Sequence, residues 1–557
     1  MPDRHTTSVR EEAVSLRSYR LHLNGEDVEG DGWVYTLTSR SLLEDTFTSI
    51  SLKRALERDP NSDAAAHPYV VGRCAVAGPS HNELALESAA IASRKWAAVD
   101  LDQRMQFGAL FRKSLLAHEE EFLALLVAEG HPVRLARWEL SCLHQVYSEE
   151  NCSWYAQGMR SEFRHGGRRL VVRRQPDGVV CLNPPQNAPA PSAGLAGLML
   201  MAGNAVVVRA PRSIPLSAMY VLRELMVPVL DQLGAPPGTL NIVCGNPKQT
   251  LDSWIDSPLV DDVFYIGGVE DGLRLEARCV ARGKKPILEL AGNDGLVVWK
   301  DADLDHAAQA IAESFYGSGQ ICMVPNYVLV HPDVADDLLD RVREQAAAVR
   351  PGYPEDEDVL LSPVRRSERF FSLLRDATDR GATVVCGGRR TEVDGTPSAT
   401  GVFLEPTVVR VDGLAGAREY EMVREETFFP LLAVVVPQAA PDEQLLDDFV
   451  DFVNTNRYGL RNSLWAEDES VIDVFVRRVT NGGLLKVNDS HIGFLPFLPS
   501  HGGTGLTGGA FGEANYPIFR TSHLQGVSIA HGIAPQDAVF PGRPPTRSDT
   551  GRDGTGR

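Results

Sequence analysis

Short apolar strands alternate with helix-length segments along most of this chain, and no other feature constrains its fold as strongly. The first series comprises VVCLN, NAVVVRA, LNIVCG and DDVFYIGG, with helical stretches between them. A second series starts near residue 287 and comprises LVVWK, NYVLVH, ATVVCGG, FLLAVVVP and LLKVND. Fully apolar strands separated by helices are typical of parallel sheets covered on both faces. The sequence therefore predicts an α/β protein with two parallel-sheet lobes and a site in the cleft between them.

Four other regions complete the predicted organisation. Residues 80–160 carry apolar side chains at three- and four-residue steps, which predicts helices. The segment RRLVVRRQPDGVVCLN predicts a β-hairpin that turns at its Pro-Asp-Gly sequence. Residues 1–20 and 532–557 have little to bury, so we expect a flexible N-terminal tail and a disordered C-terminal tail.

Charge and cysteine usage limit the expected partners and location. The chain has 55 Lys and Arg against 74 Asp and Glu residues, a formal net charge of −19. This charge repels phosphate backbones and anionic lipid, so neither nucleic acid nor a membrane is an expected partner.

The N-terminus lacks the apolar core of a signal peptide, and the apolar stretch 195–208 is too short to span a bilayer. The eight cysteines are dispersed, which favours reduced thiols in the cytoplasm and predicts no metal site.

Three side chains at element boundaries are candidates for chemistry. Cys322, in GSGQIC, lies between a helix and a strand, and a cysteine can act as a nucleophile when a base is near. Glu289, in LELAGND, ends an apolar strand, where a carboxylate serves either as a general base or in a salt bridge. Asn187, in PPQNAP, lies in a rigid turn, where its amide either stabilises an oxyanion or holds the turn. Taken singly, each residue is compatible with a purely structural role.

The glycine turn VFYIGGVEDG is a fourth candidate. Gly267, Gly268 and Gly272 follow an apolar strand and would let a phosphate approach backbone N–H groups at the start of a helix. The spacing differs from the usual G-x-G-x-x-G, so the turn alone does not identify a dinucleotide site.

Taken together and in order, these segments resemble the aldehyde dehydrogenase superfamily. The matching segments are PPQNAP, AGNAVVVRAP, VFYIGGVEDG, LELAGND, GSGQIC, REETFFPLLAVV, NTNRYGLRNSLWAEDES and GGLLKVND. The resemblance covers about residues 20–530 and implies NAD(P)-dependent oxidation of an aldehyde to a carboxylic acid by a homodimer or homotetramer. It implies a fold of two Rossmann-like lobes plus a small β oligomerisation arm. The dinucleotide-binding domain would comprise residues 21–163 and 182–288, the catalytic domain residues 289–515, and the arm residues 164–181 and 516–531.

The resemblance also implies a role for each candidate residue. Cys322 would attack the aldehyde and carry a thiohemiacetal and then a thioester. The Asn187 amide would hold the oxyanion, and Glu289 would activate the water that hydrolyses the thioester. The implied coenzyme-binding residues are Pro185, Arg209, Arg212, Gly267, Gly268, Gly272, Glu426 and Phe428.

Departures from the family pattern bear on the coenzyme. Gly268 replaces the serine of the phosphate turn, and Asn293 replaces a lysine. Arg212 stands where NAD-preferring members often have a glutamate. Arg209 and Arg212 together could pair with a 2′-phosphate, which favours NADP over NAD.

Three alternatives remain open at this point. They are a CoA-acylating dehydrogenase, a reductase that acts on an acyl phosphate, and an inactive scaffold subunit. Members of the first two kinds usually lack the base, so Glu289 argues against them, and the intact set of three side chains argues against a scaffold. The expected substrate passage has a mixed, mainly apolar wall, which predicts a medium-sized aliphatic or aromatic aldehyde. The residues expected in this wall are Met199, Met201, Met323, His491, Phe494 and Phe497.

Overall fold

Two seven-stranded sheets form the framework of the protein, whose computed structural model describes residues 17–60, 67–510, 514–533 and 535–539. The first sheet has the strand order Lys285–Glu289, Asp262–Ile266, Val179–Asn183, Ala205–Arg209, Leu240–Val243, Leu21–Leu23 and Glu26–Val28. Its first five strands are parallel, and the last two are antiparallel. The second sheet has the order Thr383–Cys386, Thr407–Asp412, Leu431–Val436, Pro325–Val330, Asp294–Val298, Arg461–Trp465 and Leu484–Val487. All its pairs are parallel except the first.

The central strands of both sheets are buried along their whole length. Val179–Asn183 and Ala205–Arg209 show this in the first lobe, and Pro325–Val330 and Leu431–Val436 show it in the second. Helices cover both faces, so a strand with no solvent-facing side needs no polar alternation. The predicted α/β class with two parallel-sheet lobes is confirmed.

The helices fall into two groups that follow the two sheets. In the first lobe they are Ser39–Glu44, Thr46–Arg58, Pro79–Ala97, Leu101–Ala117, Glu119–Ala128, Val133–Val146, Glu149–Met159, Pro189–Gly194, Ala196–Ala202, Leu216–Met219, the π-helix Tyr220–Met226, Val227–Gln232, Pro247–Asp256 and Val269–Ala281. In the second they are Leu304–Ala312, Ala335–Ala348, Glu368–Asp379, Glu421–Arg424, Asp442–Asn454, Glu469–Arg478 and the 3₁₀ segments Glu313–Gly319, Pro332–Val334 and Ala417–Glu419. Within the described residues, we find no helix long and apolar enough to cross a membrane.

Small sheets lie outside the two lobes. Arg17–Tyr19, Val70–Ala75 and Trp33–Leu37 form one sheet, and two-stranded pairs join Arg390–Thr391 to Phe403–Leu404 and Tyr458–Gly459 to Thr504–Gly505. The last helices are Pro517–Arg520 and Pro535–Val539. The predicted N-terminal tail is therefore too long, because Arg17–Tyr19 pairs with Val70–Ala75. The predicted C-terminal tail contains a short helix, and its residues 534 and 540–557, like residues 1–16, lie outside the described residues.

A three-stranded sheet outside the two lobes, here called the arm, differs from the predicted hairpin. Arg160–His165 pairs with Arg168–Pro176 around Gly166 and Gly167, whose φ values of 54° and 72° suit a tight hairpin turn. Ser522–Ala530 adds the third strand. The Pro-Asp-Gly sequence does not close a hairpin, because the strand after it pairs within the first lobe. It joins the arm to that lobe instead.

Candidate active site

Most of the predicted site residues line one cleft of about 1530 Å³ between the two lobes. Those of the first lobe lie at or just after the carboxyl ends of its parallel strands, where α/β proteins place their ligands. Those of the second lobe lie in segments that precede the strands Pro325–Val330 and Leu431–Val436. The predicted residues in this cleft are Pro185, Asn187, Arg209, Gly267, Gly268, Glu289, Cys322, Glu426 and Phe428. Arg212 borders a neighbouring groove instead, and Gly272 does not line the cleft.

Cys322 is presented by a sharply turned loop. Gly317, Ser318 and Gly319 adopt left-handed backbone with φ values of 60°, 58° and 68°. A Cβ at Gly319 would lie 2.1 Å from the carbonyl oxygen of Phe429, so only glycine fits there. This close approach fixes the cysteine loop against the segment that carries Glu426 and Phe428.

Glu289 faces Cys322 at the end of the strand Lys285–Glu289. Its Oε1 lies 3.7 Å from the Cys322 Sγ, and its Oε2 accepts a 3.2 Å hydrogen bond from the Gly502 N–H. The carboxylate is 1% exposed, and this burial raises its pKa to about 8. Burial, followed by the nearby Glu289 carboxylate, also raises the pKa of the Cys322 thiol. Both shifts favour the protonated thiol and the protonated carboxyl group at neutral pH.

Asn187 is held against the cysteine loop. Its Nδ2 donates a 3.1 Å hydrogen bond to the carbonyl of Gln320, two residues before Cys322. A side-chain amide nitrogen carries two N–H groups, so this bond uses one and orients the other. The geometry suits an oxyanion donor on a rigid turn.

The phosphate turn has two kinds of glycine. Gly268 precedes the helix Val269–Ala281, and a Cβ there would meet nothing within 4 Å, so a ligand can approach the helix N-terminus. Gly272 serves packing, because a Cβ there would lie 2.2 Å from Leu290. Gly272 does not line the cleft, and its part in phosphate binding stays a prediction.

The two predicted arginines differ in environment. Arg209 is 5% exposed and its Nε donates a 2.6 Å hydrogen bond to Asn183, while it still borders the cleft. Arg212 is exposed. Burial lowers the pKa of Lys53; the charge of Glu57 partly offsets this effect, and the charges of Arg365 and Arg212 add to it. Sequence reasoning missed Lys53 and Arg365, which both line the cleft, since neither belongs to a motif.

Glu426 and Phe428 border the cleft on the second lobe. The Glu426 Oε1 accepts a 3.1 Å hydrogen bond from the Gly292 N–H, and burial raises the pKa of this carboxyl to about 7. Phe428 has a φ of 57°, which is unfavourable for a bulky residue. Strained backbone of this kind persists where packing enforces it, often at ligand sites.

The apolar wall near Cys322 differs in part from the expected one. Met323 and Phe494 line the cleft, but Met199 and Met201 are fully buried in the core of the first lobe. Trp138 also lines the cleft, and its ring stacks on Phe494 with centroids 5.2 Å apart. His491 is also fully buried, and Phe497 is 47% exposed and does not line the cleft. Which face of a helix meets the cleft depends on tertiary packing, which a single sequence does not reveal.

Comparisons with known proteins agree with this geometry. Residues 59–519 match the aldehyde dehydrogenase family. The NADP(+)-dependent succinate-semialdehyde dehydrogenase GabD of Escherichia coli is 29% identical over 407 residues, which cover 71% of this chain and 79% of that protein. Benzaldehyde dehydrogenase YfmT of Bacillus subtilis is 25% identical over 462 residues, which cover 80% and 88%. The crystal structure of an NAD-dependent aldehyde dehydrogenase from Sinorhizobium meliloti has a TM-score of 0.77 at 22% identity, covering 96% and 98%.

The two parallel-sheet lobes and the family match make this protein an α/β oxidoreductase. More specifically, the chain belongs to the aldehyde dehydrogenase family.

Proposed function

We propose that this protein oxidises an aldehyde to a carboxylic acid with NADP or NAD, through a covalent intermediate on Cys322. The observation that carries the proposal is the 3.7 Å pairing of the Cys322 thiol with the buried Glu289 carboxylate in the cleft. A nucleophile, a base and an amide donor on separate loops are the groups that this chemistry needs. Formation of reduced coenzyme across a panel of aldehydes tests it.

The first half of the reaction uses Cys322 and Asn187. Cys322 reacts as the thiolate, with its proton released to solvent; the sulfur bonds to the aldehyde carbon as the C=O π bond opens, and the Asn187 amide donates to the resulting oxyanion. The coenzyme, when bound, accepts the hydride from that carbon. The thiohemiacetal then becomes a thioester on Cys322.

The second half of the reaction uses Glu289. The ionised carboxylate takes a proton from water, the water oxygen bonds to the thioester carbon, and the carbon–sulfur bond breaks. The product leaves as a carboxylic acid, and the thiol of Cys322 is restored. A CoA-acylating enzyme would need no such base, so the position of Glu289 favours hydrolysis.

The hydrolysis step should depend on pH through Glu289. Because burial raises the pKa of this carboxyl to about 8, it is mainly protonated at neutral pH and gains activity as pH rises. Single-turnover hydrolysis of a preformed acyl enzyme should rise about tenfold per pH unit below that value and level off above it. A rate that stays flat between about pH 6 and pH 9 would exclude Glu289 as the base.

The coenzyme residues present in the cleft fit an NADP or NAD molecule. Gly268 leaves open space at a helix N-terminus for a pyrophosphate, and Glu426 offers a half-buried carboxylate for ribose hydroxyls. The preference for NADP is supported by Arg212 and by Lys53 on the helix Thr46–Arg58, which together present positive charge for a 2′-phosphate. The similar GabD protein is named as NADP(+)-dependent.

Removing these cations should weaken NADP more than NAD. We expect Arg212→Ala and Lys53→Ala each to lower kcat/KM for NADP by about tenfold, with NAD changed less than about twofold. Calorimetric binding of adenosine 2′,5′-bisphosphate against 5′-AMP gives the same comparison without turnover. Lys95→Ala, on an exposed face of the helix Pro79–Ala97, is the matched control. Equal losses for both coenzymes would contradict the assignment.

We infer that the substrate is a medium-sized apolar aldehyde. Met323, Phe494, Trp138 and Ile321 line the cleft near Cys322 and form an apolar wall. The matched relatives are named for succinate semialdehyde and benzaldehyde, and these two compounds span the charged and the aromatic case.

The eight free cysteines favour a reducing compartment such as the cytoplasm.

We infer that the arm joins subunits. Phe163, Val172 and Leu524 of the arm are 55%, 42% and 62% exposed, and an apolar sheet with free edges favours association. Light scattering should give a mass of two or four times the 60.8 kDa chain. The double variant Phe163→Ser, Leu524→Ser should shift it to the monomer, whereas Ile91→Ser, equally exposed on a helix, should not. A wild-type monomer would contradict the inference.

A further inference from the structure

Arg461 is a buried arginine near the proposed catalytic pair, and the family resemblance assigns it no role. It begins the strand Arg461–Trp465 and is 2% exposed. Its Nη1 donates a 3.0 Å hydrogen bond to the carbonyl of His491, and its Nη2 donates a 3.0 Å bond to the carbonyl of Ser500. One guanidinium therefore joins the two ends of segment 491–500.

Segment 491–500 lies beside the cleft that contains Cys322 and Glu289. Phe494 of this segment stacks on Trp138 beside the cleft. Gly502, two residues after Ser500, donates its N–H to the Glu289 carboxylate at 3.2 Å. A shift of the segment would move the hydrogen-bond donor that orients the proposed base.

Arg461 also supplies positive charge where acidic groups surround the thiol. Cys322 faces the carboxylates Glu289, Glu426 and Asp294, which raise the pKa of its thiol, and Arg461, which lowers it. Arg461 itself lies in the field of Asp294, Cys322, Glu289 and Cys142.

The imidazoles on this side of the site do not supply that charge. Burial, followed by Arg461, lowers the pKa of His501 to about 3 and lowers the pKa of His491. Lys486 donates to the carbonyls of Ser490 and Gly493, and its charge adds to the effect of Arg461 on His491. Both histidines are therefore neutral. The Arg461 guanidinium carbon lies 5.7 Å from the centre of the Phe494 ring, which lines the cleft, and its charge acts on both the Cys322 and the Glu289 side chains.

Burying an arginine is costly unless its charge is compensated by nearby groups. The hydrogen bonds from the guanidinium reach neutral carbonyl groups, and the buried Asp294 carboxyl group accepts a 3.2 Å hydrogen bond from the Arg461 backbone N–H. We propose that Arg461 is a positioning residue of the catalytic site, which favours the Cys322 thiolate by its charge and fixes segment 491–500 by its two hydrogen bonds. This inference rests on the proposed function of Cys322 as the nucleophile.

The test measures the thiol itself, in the full-length protein without aldehyde or coenzyme. The rate of Cys322 alkylation by iodoacetamide is followed against pH, with peptide mass spectrometry to separate Cys322 from the other cysteines. Arg461→Gln should raise the pKa of this alkylation by about one unit or more, because the thiolate loses its cation. Arg461→Lys keeps the charge and should stay much closer to wild type.

Two further variants make the result decisive. Arg461→Met fills similar space without an unpaired polar group, and it replaces the glutamine variant if that one does not fold. Arg104→Gln removes another buried arginine, which donates to the Ala202 carbonyl in the first lobe, and should leave the alkylation unchanged. An alkylation pKa that is unchanged in a folded neutral variant, or raised equally by lysine, would overturn the proposal.

The same measurement separates this inference from the proposed function. A raised alkylation pKa in a protein that oxidises no aldehyde would leave the role of Arg461 intact and refute the proposed reaction. Turnover that survives Cys322→Ala would refute the proposed nucleophile, whatever the alkylation shows.

Discussion

Cys322→Ala is expected to abolish aldehyde oxidation while coenzyme still binds. Without the sulfur no thiohemiacetal forms, so kcat should fall by about 10⁴-fold or more. Cys322 lies on the cleft surface and is half-buried, so the smaller side chain should leave the fold intact. Steady-state production of reduced coenzyme measures the loss, and quenching of protein fluorescence on NADP addition measures the retained binding.

Cys386→Ala is the matched control for that experiment. Cys386 is also half-buried and lies in the same lobe, but it ends the edge strand Thr383–Cys386 away from Glu289. We expect activity close to wild type. Turnover of the Cys322 variant within about tenfold of wild type would mean that another group is the nucleophile.

Glu289→Gln is expected to stop the reaction after one hydride transfer. The amide cannot accept a proton from water, so the thioester should accumulate and steady turnover should slow by about 10²–10⁴-fold. Stopped-flow recording should show a burst of reduced coenzyme close to one equivalent per active site, followed by a very slow phase.

The control for this variant is another buried carboxylate. Glu276, 7% exposed, accepts a 2.7 Å hydrogen bond from the Ala510 N–H in the first lobe. Glu276→Gln should change stability rather than the ratio of burst to steady rate. Undiminished steady turnover in Glu289→Gln would remove Glu289 from the role of base.

The sequence predicts the framework of this protein well, because the signals that define it are local. Continuous apolar runs such as Val179–Asn183 and Pro325–Val330 identify buried parallel strands without any knowledge of their neighbours. The ordered motifs then indicate the family, which the family match confirms. The roles of Cys322, Glu289 and Asn187 stay predictions, and the structure places these side chains in a single cleft.

Features that depend on distant neighbours could not be predicted in this way. The Pro-Asp-Gly sequence is a good local turn signal, yet the strand after it finds its partners in the first lobe. The sequence places Gly272 in a phosphate turn, and only the fold shows that Leu290 packs where a side chain at position 272 would lie. Arg461 stands out only when the fold brings the carbonyls of His491 and Ser500 to it.

The central claim is that a covalent acyl group forms on Cys322 and that Glu289 removes it. The most direct test incubates Glu289→Gln with benzaldehyde and NADP, quenches with acid and measures intact and peptide masses. We expect a mass increase of one acyl group, located on the peptide that contains Cys322 and absent when coenzyme is left out. Reduced coenzyme formed without any adduct on Cys322 would contradict the mechanism.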